Sequence, residues 1–223
     1  MARREPPAHS AAPRPRARGP GRRSRRESER TRRRILDRAE RLFAARGYRG
    51  VALREIAEAS GVRPFTVQHH FGSKLGLYQA VLSRFDDELI RRITAIARES
   101  ASFPEVVDRV VDDLFEFFVA HRGWVAVSAR AALGEALPRG ASLEGPRWIR
   151  FIDTIARERA PAGLPLDPGL LLVTMEGILH HHVLSKAHYR ELFGADVGDP
   201  AIRARTREHL KQVILALLAP SAR

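Results

Sequence analysis

Two stretches of the chain concentrate side chains able to make directed polar bonds. The first is "GVRPFTVQHHF", residues 61–71, where Arg63, Thr66, Gln68, His69 and His70 sit among few apolar residues. Such planar donors and acceptors suit recognition of base edges or phosphates: Gln pairs bidentately with adenine, Arg with guanine. The second is "EGILHHHVLSKAH", residues 176–188. Glu176 and His180 stand at i,i+4, a spacing that places two metal ligands on one helix face. Successive helical residues point about 100° apart, so His180, His181 and His182 cannot share one ion. At most one of them joins Glu176; otherwise they line a helical bundle or an interface between copies. The chain contains no spaced H-E-x-x-H set, Gly-rich phosphate loop or nucleophile elbow. The expectation is therefore no catalytic residue, no metal and no cofactor. A metal-dependent enzyme or metal-binding protein with a basic, DNA-localising N-terminus is the alternative.

Both stretches must be held by helices, because the apolar residues recur with helical spacing and nowhere alternate as in a strand. Ile35, Leu36, Ala39, Leu42 and Phe43 form one face of a helix running from Ser28, and Gly47 is placed to end it in a left-handed cap. A short helix over 53–60 turns Leu53, Ile56 and Ala57 inward, and Gly61 breaks it. Pro64 opens a third helix, where its missing N–H costs nothing. That helix buries only Val67 and Phe71, with Val62 at the turn. Ser73 caps a long fourth helix whose stripe runs Leu77, Val81, Leu82, Phe85, Leu89, Ile93 and Ile96. Further helices are expected over 104–121, 124–137, 146–159, 168–188 and 199–218. The fold class is all-α: an N-terminal three-helix unit over 28–73 and a helical bundle over 74–223. Residues 1–27, rich in Arg, Pro, Gly and Ala, lack the apolar surface to fold and read as a disordered basic tail.

Charge divides the chain in the same way. The formal net charge is +13 among 223 residues, and all of it lies in residues 1–78, since residues 79–223 carry nineteen charges of each sign. A basic part of this kind points to a polyanion. Cysteine is absent, which excludes disulfides and thiolate chemistry and fits a cytoplasmic protein. No apolar run reaches membrane-spanning length, and the basic N-terminus lacks the apolar core of a secretory signal.

Two short helices joined by a glycine turn inside a basic three-helix unit fit a helix-turn-helix, whose second helix enters the major groove of DNA, or else an ordinary three-helix bundle with a solvated charged face. Residues 30–78 also resemble the DNA-binding domain of the tetracycline-repressor (TetR) family, through "ILDRAERLFAARGY", "LREIAEASGV" and the HHF-x-SK-x-x-L pattern after Thr66 and Val67. The resemblance implies a homodimer on a palindromic operator in double-stranded DNA, often a repressor released by a small-molecule effector. It implies phosphate contacts by Thr66 and Lys74 and a backbone or base contact by His69. Arg63, Phe65 and Gln68 replace the family's usual residues and are expected to set which sequence is read. Phe65 either touches a thymine methyl or packs against the first helix, with packing expected. His70 is expected to face the first helix. Ala52 stands where a hydroxyl residue usually opens the second helix.

The bundle offers bulky residues for an apolar ligand pocket: Phe118, Trp124, Trp148, Phe151 and Met175. For any single one of them the expectation is a place in the plain core. Met175, Ile178 and Leu179, with Leu210, Val213, Ile214 and Leu217, form apolar faces on the last two helices. The resemblance implies a dimer interface there; in a monomer the same faces are core.

Overall fold

A computed structural model describes residues 20–134, 145–161 and 167–217. Eleven α-helices and no strand occur among them: α1 (Pro20–Arg46), α2 (Leu53–Ala59), α3 (Pro64–Phe71), α4 (Lys74–Leu82), α5 (Asp86–Glu99), α6 (Phe103–Ala120), α7 (Arg122–Ala132), α8 (Gly145–Arg159), α9 (Pro168–Leu184), α10 (Lys186–Phe193) and α11 (Pro200–Leu217). No helix among the described residues is long and apolar enough to cross a membrane.

Two apolar cores follow from the periodic stripes. The N-terminal head closes around Ile35, Leu36, Ala39 and Phe43 of α1, Ile56 and Ala57 of α2, and Val67 of α3. It continues into Leu77, Tyr78 and Val81 of α4 and into Val127 and Ala131 of α7. The head is therefore not sealed at residue 73: α4 and α7 belong to it and to the bundle. Edge-on contacts of the Tyr78 ring with Phe43 and Tyr48 centre this core. The second core joins Phe85, Leu89, Val111, Phe115, Phe117, Phe118, Trp124, Leu179, Val183, Leu210 and Ile214.

The head is clamped to the bundle at one corner. Arg84 binds Asp37 at 2.6 Å and Glu40 at 3.2 Å, both on α1. Burial raises the pKa of Glu40, and Arg84 opposes that. At the start of α7, a Cβ on Gly123 would lie 2.7 Å from Glu40 Oε1, so a larger residue there would have to displace the Glu40 carboxylate.

Several expected boundaries move. The first helix begins at Pro20, not Ser28, and so takes up part of the stretch read as a disordered tail. Arginine is a good helix former, and Arg25 and Glu29 pair at i,i+4, so this turn forms without an apolar face. Residues 1–19 of that tail lie outside the described residues. The single fourth helix is in fact two, α4 and α5, separated by a 3-10 turn over Ser83–Phe85. The Ser83 hydroxyl donates back to the Gln79 carbonyl at 3.0 Å, which loosens the helix there. Asp86, Asp87 and Glu88 then favour a fresh helix N-terminus. The expected helix over 168–188 breaks at Ser185 (ψ 51°) into α9 and α10. In the helix expected over 124–137, α7 ends at Ala132, and 135–137 lie outside the described residues, as does Leu218.

Candidate nucleic-acid interface and bundle cavity

The turn between α2 and α3 depends on Gly61, at φ 62°, a conformation that side-chain-bearing residues avoid. Gly47 at φ 69° does the same after α1, its N–H reaching the Phe43 carbonyl at 2.8 Å. Ala52 leads into α2 with its N–H donating to Glu55 Oε2 at 2.7 Å, while Arg46 holds Glu55 Oε1 at 2.9 Å. These bonds hold the Glu55 carboxyl below its usual pKa, the Ala52 N–H being the largest cause. α3 runs from Pro64 to Phe71 and is capped by Gly72, and Ser73 Oγ accepts from the Gly76 N–H at 3.0 Å to start α4.

α3 is anchored by few groups. Val67 is fully buried, and Val62 and Phe71 are partly buried against the head core. The guanidinium of Arg32 on α1 lies 5.1 Å from the Phe71 ring centre. Arg63, Phe65, Gln68 and His69 project into solvent, and Thr66 is half-buried beside them. Phe65 is 74% exposed and lies alongside the His69 ring at 6.4 Å. The expected packing of Phe65 against the first helix is thus incorrect: its place in the first turn of α3 directs it away from α1. His70 is half-buried near Arg32, and burial, His69 and Arg32 together lower its pKa. Lys74 is half-buried with Nζ 4.4 Å from the Tyr48 ring centre. Burial lowers its pKa while Glu55 counteracts. The sequence reading missed Tyr48 and Arg32, because each acts through a ring contact across helices.

Behind α4, inside the bundle, lies a cavity of about 950 Å³. Phe118, Trp124, Trp148, Phe151 and Met175 all contribute to its wall. The wall also includes Gln79, Leu82 and Ser83 at the end of α4, and Ser128 and Ala132 on α7. Three carboxylates that were not expected as cavity residues also line it, Asp86, Asp167 and Glu176. Asp86 is 4% exposed and accepts a hydrogen bond from Trp148 Nε1 at 3.2 Å. Burial, then the charge of Asp86, raises the Glu176 pKa. The acidic start of a separate α5 was the signal for Asp86, hidden by reading one continuous helix.

Glu176 and His180 do not form a metal site with a third ligand: among the described residues no group of three His, Asp or Glu side chains is placed to hold an ion. His180 stacks on Phe118 with ring centres 5.8 Å apart, and its Nε2 is buried with no partner among the described residues. Burial lowers its pKa. His182 Nδ1 meets the Tyr189 hydroxyl, which lies 3.3 Å from Thr206 Oγ1. Leu179, Leu210 and Ile214 are core of the same chain, whereas Leu217 on α11 and Leu192 and Phe193 on α10 are exposed.

The fold and this surface define an all-α protein with a helix-turn-helix head and a hollow helical bundle. Residues 35–81 match the family of bacterial regulatory proteins, tetR family; the match covers the head and not the bundle. A curated relative, the HTH-type transcriptional repressor KstR2 of Rhodococcus jostii (strain RHA1), is 31% identical over 93 residues, which are 42% of this chain and 46% of KstR2. The chain thus covers less than half of that relative's length. Among solved structures, the fatty acid degradation regulator FadR from Bacillus halodurans aligns over 85% of this chain and 98% of its own, at TM-score 0.64 and 17% identity. FadR from Bacillus subtilis, solved in complex with stearoyl-CoA, aligns over 85% and 98% at TM-score 0.59 and 18% identity. These identities speak for a shared fold.

Proposed function

We propose that the chain is a DNA-binding transcriptional repressor that acts as a homodimer on a palindromic operator and releases it when a small apolar molecule enters the bundle cavity. The observation that carries the reading is α3 itself. It commits one fully buried side chain to the head and leaves Arg63, Phe65, Gln68 and His69 facing solvent at the end of a strongly basic segment. A helix held so lightly and armed so heavily suits the major groove, where its N-terminal residues reach base edges. Thr66 and Lys74 are assigned to phosphates, and the arginines of α1 add counterion release.

The route from effector to DNA follows from shared helices. Gln79 and Leu82 of α4 and Ser128 and Ala132 of α7 line the cavity, while Tyr78, Val81, Val127 and Ala131 of the same helices pack in the head core. An effector that fits better when α4 and α7 shift moves the two heads of a dimer off half-sites about 34–36 Å apart. An effector with equal affinity for both arrangements releases nothing. The exposed Leu192, Phe193 and Leu217 are assigned to the dimer contact. Selection of bound sites from random DNA tests the reading: a palindromic consensus is expected, and binding without a preferred site would refute it. A reporter driven from that consensus gives the sign of regulation.

A further inference from the structure

The cavity has a charge pattern that restricts what it can hold. Its walls are mostly aliphatic and aromatic, and among the described lining residues there is no Lys, Arg or His. Three carboxylates do line it: Asp86, Asp167 and Glu176. Asp167 is occupied at the start of α9, where its Oδ1 accepts the N–H groups of Gly169 at 2.8 Å and Leu170 at 2.9 Å. Asp86 is engaged by Trp148 Nε1. Glu176 makes no hydrogen bond or ion pair with any described residue, although it points from α9 into an apolar enclosure beside Asp86. A carboxylate placed this way is costly unless a positive group meets it. A bound anion would add a negative charge beside Glu176 in an apolar site, where repulsion is strong. A bound cation would neutralise Glu176 and lie among Trp124, Trp148, Phe118 and Phe151, aromatic rings that attract desolvated cations. The volume, about 950 Å³, accommodates a drug-sized molecule.

We infer that the cavity takes a lipophilic cation, an apolar body carrying a protonated amine or quaternary ammonium group, with Glu176 meeting its charge. This rests on the reading of the cavity as the effector site and names the chemical class of that effector. A carboxylate ligand would instead meet repulsion from Glu176.

The test uses the full chain and three probes that share a ten-carbon tail: decyltrimethylammonium, decan-1-ol and decanoate, all below their micellar concentrations. Calorimetry reads affinity. The chain's two tryptophans, Trp124 and Trp148, both line the cavity, so their emission reports occupancy independently. The ammonium probe is expected to bind at least about tenfold tighter than decanoate, with the alcohol between them. Glu176→Gln, which keeps the shape and removes the charge, is expected to abolish the advantage of the ammonium over the alcohol and leave the alcohol's affinity unchanged. Equal binding of all three, tighter binding of decanoate, or an ammonium preference that survives Glu176→Gln would overturn the cation assignment while the cavity remains an effector site. Binding of none of the three, with emission unmoved, would overturn the effector reading as well.

Discussion

Trp124 Nε1 donates to the main-chain carbonyl of Leu82 across 2.8 Å, tying the cavity wall on α7 to the last residue of α4. The bond spans the place where the head core and the bundle core meet. Trp124→Phe keeps most of the apolar surface and removes only the donor. A loss of about 1 kcal/mol in urea unfolding is expected, the worth of one partly buried hydrogen bond. An unchanged unfolding midpoint would show that the bond does not hold the two helices together.

Phe65 separates recognition from stability. At 74% exposure it contributes little to folding, so Phe65→Ala should leave thermal stability within about 0.5 kcal/mol of the parent. Operator binding should nevertheless weaken, and discrimination should relax at one base pair by about 1–3 kcal/mol if the ring meets a thymine methyl. Gln68→Ala should relax a different position in the same assay. Equal loss on every sequence, for either variant, would assign that side chain to the backbone instead of the bases.

Lys74 should behave differently from both. Its ammonium sits over the Tyr48 ring, and burial already lowers its pKa, so it is positioned before DNA arrives. Lys74→Ala should weaken binding to all sequences alike and reduce the slope of log affinity against log salt by about 1. Binding titrations at several salt concentrations provide the measurement. A slope equal to that of the parent would remove Lys74 from the phosphate contacts.

Periodicity made the head legible. Ile35, Leu36, Ala39 and Phe43 recur on one face and are all buried, and glycine marked the turns at Gly47 and Gly61, both with positive φ. The same periodicity concealed the break after Leu82. Leu82, Phe85 and Leu89 stay in phase through a single 3-10 turn, so a stripe of apolar residues reads as one helix whether or not the backbone tightens. Asp86 was hidden by the same continuity, because its burial depends on Trp148, which stands 62 residues away. The contacts of Lys74 with Tyr48 and of Arg32 with Phe71 are equally non-local. The aromatic residues that line the cavity were legible as bulky and apolar, but their separation into core and wall depends on how α8 and α9 pack.

Ala52 offers a gain in stability. It occupies the N-cap position of α2 with extended backbone, φ −92° and ψ 148°, and has no side-chain oxygen to accept the helix's first N–H groups. Glu55 already returns its carboxylate to the Ala52 N–H, so one half of a reciprocal cap is present. Ala52→Ser supplies the other half and is expected to stabilise the protein by about 0.5–1 kcal/mol. Thermal unfolding decides it: a lower melting temperature would mean that the local backbone cannot accept the cap.

Acid should destabilise the fold through α9. Burial lowers the pKa values of His180 and His182, so the folded state prefers both rings neutral. Their stability contribution is complete above the unfolded histidine value of about 6.5 and is lost as the pH falls through the folded values, because the unfolded chain takes up protons first. Glu176 works in the opposite sense: its raised pKa gives stability that is complete below the ordinary carboxyl range and is lost as the pH rises through the folded value. The two trends are separable by substitution. His180→Phe keeps a ring against Phe118, removes the buried Nε2 that has no partner among the described residues, and should shallow the fall in melting temperature between about pH 7 and pH 5. Glu176→Gln should leave that acid limb in place and raise the melting temperature near pH 7, where the parent holds a carboxylate in an apolar cavity. An acid limb unchanged by His180→Phe would transfer the effect to His182, whose ring meets the Tyr189 hydroxyl. A limb that also survives His182→Phe would show that neither ring governs the acid response.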